Sequence, residues 1–161
     1  MTTDLREPSE RVSPRARSMW LVGCLLEGLV TVAILVGLAL TWESLPGRWW
    51  LVGVAAALTL GYAVVVPRWR YLVHRWEVSD RAVYTQTGWW ARERRIAPMS
   101  RIQTVDYAEG ALSRLFGLAT VTVTTASAAG ALRIEGLDKG LAQRLVDELT
   151  VQADAVEGDA T

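Results

Sequence analysis

The chain has 161 residues, roughly one ordinary domain, of which 51% are hydrophobic. Its single cysteine excludes an intrachain disulfide and implies no oxidising compartment. Seventeen basic and seventeen acidic side chains cancel to a net charge of zero, but that balance conceals a split along the chain.

Residues 1–17 read as a polar tail carrying Arg6, Arg11, Arg15 and Arg17. Residues 19–40 (MWLVGCLLEGLVTVAILVGLAL) and 49–66 (WWLVGVAAALTLGYAVVV) are nearly free of charge. At about 1.5 Å per residue each can cross a hydrocarbon layer of roughly 30 Å, the second being slightly short. The connector 41–48 (TWESLPGR) holds Pro46-Gly47 and is too short for a domain, so residues 18–67 form a transmembrane hairpin. Trp42, Trp49 and Trp50 stand where amphipathic rings meet the interface. A secretory signal peptide is the competing reading of the first run, which is longer than an ordinary signal core and is followed by no small-residue cleavage site. Arg48 alone in the connector faces four arginines before the hairpin and Arg68, Arg70 and Arg75 after it. By the positive-inside rule, a two-pass protein of the bacterial cytoplasmic membrane with both termini cytoplasmic is expected.

Within the first run Glu27 lies a few residues from the middle, where an ionised carboxylate costs about 2.5–3.5 kcal/mol on insertion scales. Counting rise from the helix centres puts Thr59 and Tyr62 at its depth. One reading has Glu27 protonated or hydrogen-bonded to one of these, or to a partner's helix, fixing assembly. The other has it snorkelling to the interface. Cys24 reads as a packing residue, with palmitoylation a remote alternative.

From residue 68 to 101 eight arginines face three acidic residues, and from 102 onward four basic residues face nine acidic ones. After Pro67 the apolar pattern alternates: in YLVHRWEV, Leu72, His74, Trp76 and Val78 share one face of a strand. A turn at 79–81 leads into AVYTQTG, and Gly88 marks the reversal into a third strand, WWARERRIAP, ended by Pro98. Residues 102–108 are a fourth strand, 109–117 a connector with a helical turn, 120–125 a fifth strand and 131–137 a sixth. Asp138 caps a helix over 139–154 whose Leu141, Leu145 and Leu149 form an apolar stripe beside Val146. Residues 155–161 read as a frayed acidic tail. The expected fold is a membrane α-hairpin plus an α+β domain at 68–154, a small antiparallel sheet or barrel closed by a C-terminal helix.

The succession "RIQTV" after a proline turn, "LSRLFGLATVTVTT", and "IEGL" entering the last helix resembles the bacterial pleckstrin-homology (PH) domain of the bPH2, or DUF304, type. With two preceding membrane helices, residues 18–152 resemble the small YdbS-like membrane proteins. The resemblance implies a PH-like β-barrel of about seven strands capped by a helix. It also implies a companion, a larger membrane protein carrying several such domains.

The loop SDRA, with one arginine, does not support the phosphoinositide pocket of eukaryotic PH domains. A surface alternative places Trp89 and Trp90 at a hairpin tip in the interface, with Arg92, Arg94 and Arg95 approaching anionic lipid phosphates. Otherwise these tryptophans pack in the core and against the sheet edge. Arg101 and Gln103, on one side of a strand whose Ile102 and Thr104 face the other way, are expected to hold the turn after Pro98. The lone His74 reads as a packing residue rather than a metal ligand. No catalytic, cofactor or metal constellation is recognised, and an acidic last helix without a helix-turn-helix speaks against nucleic acid. The expected function is non-enzymatic binding or scaffolding, with the bilayer and a larger bPH2 protein or a second copy as partners. The alternative is an anionic-lipid-sensing module.

Overall fold

The computed structural model describes residues 7–42, 46–88, 90–126 and 130–158, with side chains as far as 153. Helix α1 (Pro14–Thr41) and helix α2 (Arg48–Val73) lie against each other as a hairpin. Both are long and apolar enough to cross a membrane, and large side chains such as Leu29, Ile34, Leu51 and Leu58 cover their outer surface. Gly28 lets the two backbones close up, since a methyl built there would lie 3.0 Å from Thr59 Cβ.

Helix α2 does not stop at Pro67. It continues to Val73, so Tyr71 and Leu72 belong to a helix rather than to the strand their alternation suggested. Pro67 lacks the N–H that would reach the carbonyl of Ala63, but both residues are buried and the helix runs on through them. At the other end α1 starts at Pro14, where a proline in the first turn forfeits no hydrogen bond.

Seven strands follow the PH arrangement. Strands β1 (Glu10–Arg11), β2 (Arg75–Ser79), β3 (Ala82–Thr87) and β4 (Glu93–Pro98) form one antiparallel sheet in that order. Strands β5 (Ile102–Ala108), β6 (Leu118–Thr125) and β7 (Leu132–Asp138) form the second. The short helix α3 (Ala111–Leu115) joins β5 to β6, and α4 (Lys139–Gly158) closes the barrel. The sixfold strand count from sequence missed β1, which precedes the hairpin and pairs Glu10 with Trp76 and Arg11 with Arg75. Two residues of charged side chain carry no strand signature of their own; tertiary pairing makes them one. Helix α4 also runs past 154, because Ala155, Val156 and Glu157 offer no break before Gly158.

The core draws Val83 from the first sheet, Leu118, Val121, Val123 and Leu137 from the second, and Ala142, Leu145 and Leu149 from α4. It also draws Val12, Ala16, Met19 and Trp20 from the start of α1. The domain is therefore built around the membrane-proximal end of the first helix, beyond the 68–154 segment that the pattern delimited.

Candidate functional site

Where α1, α2 and the barrel meet, one polar network joins all three. Arg70, three residues from the end of α2, sets its guanidinium carbon 4.5 Å from the centre of the Trp20 ring and its Nη2 2.7 Å from Glu135 Oε2 on β7. The Trp20 and His74 rings lie 5.0 Å apart. Arg70 Nε donates to His74 Nε2 at 3.4 Å, so the other ring nitrogen carries the hydrogen and Nδ1–H donates to the Arg70 carbonyl at 2.9 Å. Burial, and then the Arg70 charge, push the His74 pKa from 6.5 down to about 4. His74 is thus a neutral, buried packing residue of the junction.

This network floors a polar cleft of about 500 Å³ between the tips of β3 and β4 and strand β7. Arg70, Arg95, Arg133, Glu93 and Glu135 line it. Among the described residues Arg133 has no ion-pair partner, whereas Arg95 Nε donates to Glu93 Oε1 at 2.6 Å and Arg95 Nη1 to the Ala131 carbonyl at 3.2 Å.

The other two arginines of the expected lipid patch face elsewhere. Glu7 sits among Arg94 at 3.4 Å, Arg92 at 3.7 Å and Arg75 at 3.8 Å. Arg94 Nε also donates to Gln86 Oε1 at 2.8 Å, and the buried Gln86 Nε2 donates to the Val73 carbonyl at 3.1 Å. The strand alternation that sequence reading treated as one patch therefore splits it, with Arg92 and Arg94 on one face and Arg95 on the other. Trp90 is 89% exposed at the hairpin tip, and Trp89 lies outside the described residues.

In the hairpin, Glu27 is on the exposed face of α1, and its carbonyl accepts from Thr31 Oγ1 at 2.9 Å. The residue of α1 against Thr59 is Gly28, one position on from Glu27; the Thr59 hydroxyl donates to its own helix at Ala56 O, 3.0 Å away. Tyr62 is 45% exposed on α2, and Cys24 is half-buried in α1.

Arg101 and Gln103 are both exposed, and the expected alternation fails at Gln103. The ladder steps from Ile102 opposite Thr125 to Thr104 opposite Thr124, which leaves Gln103 as a bulge and turns Thr104 outward as well. The turn after Pro98 is held by backbone instead: Met99 N–H donates to Arg81 O at 2.9 Å, and Ala126 N–H to Arg101 O at 3.1 Å.

Sequence reasoning missed Trp20, Arg70 and Glu135 as a unit, because ion pairing across 65 residues leaves no local pattern. It missed likewise the cluster in which Glu109 Oε1 accepts from Lys139 Nζ at 2.7 Å and from the Tyr107 hydroxyl at 2.6 Å. The Lys139 contact holds the Glu109 pKa below the ordinary carboxylate value, while desolvation and then Glu109 push Tyr107 up to about 12. This cluster ties the start of α4 to the loop that carries α3.

Four strands, three strands and a closing helix are the PH arrangement, and residues 22–153 match the family profile described as a bacterial PH domain. The chain belongs to the bacterial PH-domain family. This PH-domain protein is 29% identical over 157 residues to the UPF0699 transmembrane protein YdbS of Bacillus subtilis (strain 168), across 95% of this chain and 98% of that one. No solved structure matches it. That relative is named as a transmembrane protein, and this chain has two helices long and apolar enough to cross a membrane.

Proposed function

We propose that the protein is a non-enzymatic scaffold subunit of the bacterial cytoplasmic membrane. Its hairpin holds the PH domain at a fixed height and angle on the cytoplasmic face, where the domain meets a larger membrane protein with several such domains, or a second copy. The observation that carries this reading is the junction: Arg70, Trp20, His74 and Glu135 lock both helices to the barrel, and α1 begins inside the barrel's core. A domain so fixed presents a surface rather than swinging to find one. The pairing of β1 with β2 is consistent with both ends of the hairpin lying on one side of the membrane. The positive-inside balance favours the cytoplasmic side. Glu27, on the outer face of α1, is available to a partner's helix.

Purification of the tagged full-length chain in mild detergent, with mass-spectrometric identification of proteins and lipids, tests the reading. A stoichiometric membrane partner or a stable oligomer is expected, and recovery as a lone monomer overturns it. A second reading, recognition of anionic lipid, is favoured by Arg133, a charge in the cleft without an ion-pair partner among the described residues. That reading requires enriched anionic lipid in the purified protein, lost on neutralising Arg133. Orientation is checked by a cysteine placed in the 79–81 turn, which should resist an impermeant reagent added outside intact cells.

A further inference from the structure

The domain carries a large apolar side chain that the described residues leave uncovered: Leu115, at the end of α3, is 82% exposed. Leu112 on the same short helix and Phe116 just past its end are packed against the core instead. Leu112 also reaches α1, where a methyl built on Gly23 would lie 3.7 Å from Leu112 Cδ2.

The depth of Gly23 follows from the tryptophans at the far end of the hairpin. Trp42 and Trp49 mark the interface there. From Trp42 back to Gly23 is roughly 28 Å along α1. The contact of Gly28 with Thr59 sets Gly23 level with Val64 on α2 and leaves Trp69 roughly 7 Å further out, at headgroup level. A hydrocarbon layer is about 30 Å thick, so the near boundary passes through Gly23 and Val64. Both helices carry exposed apolar side chains up to that plane, Leu25 and Leu26 on α1 and Leu60 and Val64 on α2. Helix α3, packed on Gly23, lies at the same level. Beside Leu115 stands Arg114, whose side chain is 75% exposed, and Arg15 approaches the α3–β6 turn, within 3.6 Å of a methyl built on Gly117. Both guanidinium groups also meet carboxylates, Arg114 with Glu109 at 3.9 Å and Arg15 with Asp138 at 3.6 Å, and both side chains are more than half exposed. An exposed leucine at the boundary with an exposed arginine beside it has the chemistry of an interfacial insertion, apolar tip in the acyl region and cation at phosphate level.

We infer that α3 is a monotopic foot: Leu115 inserts into the leaflet next to α1, and the PH domain rests on the bilayer at this point in addition to being held by the two spans. The inference rests on α1 and α2 crossing the bilayer, and it leaves open whether the domain scaffolds a protein or reads a lipid.

The test uses the full-length chain in vesicles of phosphatidylethanolamine and phosphatidylglycerol. Cys24→Ala removes the native thiol, and an environment-sensitive fluorophore is attached to Leu115→Cys, which disturbs no packed contact. Leu25→Cys, on the exposed face of α1, and Asp80→Cys, in the β2–β3 turn, serve as apolar and aqueous references. The label at 115 should be quenched by lipid bearing a nitroxide near its headgroup. Its iodide quenching should fall severalfold below that at 80, with emission blue-shifted towards that at 25. Iodide quenching at 115 equal to that at 80 would place α3 in water and overturn the inference. Shielding from both quenchers would overturn it too, by showing that protein covers Leu115. Iodide access at 25 would instead sink the spanning reading itself, and is read separately from the result at 115.

Discussion

Replacing Gly136 with alanine should destabilise the domain by about 2–5 kcal/mol, through two separable effects. Gly136 lies in β7 at φ +77°, where an L residue costs about 1–2 kcal/mol over glycine. Its carbonyl accepts the Ser13 N–H at 2.9 Å, so the start of α1 is pinned directly over it. A methyl there would stand 2.7 Å from Ala16 Cβ, well inside the 3.5–4.0 Å at which carbon atoms rest. Ala16 is fully buried, and the overlap can be relieved only by shifting α1 against the barrel, which for overpacked cores costs about 1–3 kcal/mol. Urea unfolding in detergent, followed by tryptophan fluorescence, reads the change; Trp20 lies 3.7 Å from the added methyl. The double variant with Ala16→Gly should recover the overlap but not the backbone strain, giving a coupling of about 1–3 kcal/mol. Gly136→Ala within about 0.5 kcal/mol of the parent, or strict additivity with Ala16→Gly, would refute the reasoning.

Lowering the pH from 7 to 5 should cost about 2 kcal/mol of stability through His74. Its pKa is near 4 when folded and 6.5 when unfolded, so the unfolded chain holds more protons between those values and stability falls as pH falls through that window. His74→Gln should flatten that part of the urea-midpoint profile, and a parent already flat there would contradict the neutral-imidazole assignment. Arg70→Met should cost about 2 kcal/mol and Glu135→Gln about 1. The one-third-exposed ion pair is worth little alone, while Arg70 also loses its stacking on Trp20 and its bond to His74; equal losses in thermal melts would dissolve the distinction. Gly28→Leu should force the helices apart at Thr59 and cost about 1–3 kcal/mol, with Gly28→Ala milder, both read as melting of the purified protein in detergent. An unchanged melting temperature for Gly28→Leu would mean that the hairpin is not closely packed there.

The hairpin, β3, the fifth and sixth predicted strands and the closing helix were legible because each carries its own periodicity or its own turn. The stripe of Leu141, Leu145 and Leu149 is an example: α4 buries Leu145 and Leu149 and half-buries Leu141, shifting the centre of its face by one residue to Ala142. What was illegible depends on partners far away in sequence. The alternation in YLVHRWEV fits a strand well, yet its first three residues are helix, because α2 runs on through Pro67 to Val73. The bulge at Gln103 is likewise set by β6, and no feature of RIQTV announces it. Arg92, Arg94 and Arg95 were legible as a basic run, but strand alternation turns them to two faces, where Glu7 meets Arg92 and Arg94 and Glu93 meets Arg95.

The strand before the hairpin gives the last and broadest test. Because β1 and the first turns of α1 belong to the barrel, the membrane hairpin is an insertion between the first and second strands of the PH sheet. Residues 11 and 75 pair only after the chain has gone out through two helices and come back. A fragment of residues 68–161, cut where sequence patterning places the domain, therefore loses β1 and the buried side chains of Val12, Met19 and Trp20. At about 1.5–3 kcal/mol for each large apolar side chain, that is roughly 5–9 kcal/mol of burial, comparable with the whole stability of an ordinary domain. The fragment also exposes the β2 edge and the apolar seat of Trp20. It should be expanded or aggregating, with strand content by circular dichroism but no cooperative melt. Adding back residues 7–20 as a peptide should restore a sharp transition. A cooperative melt from the bare fragment would show that the barrel closes without the first helix, and would cut the link between hairpin and domain on which a fixed orientation depends.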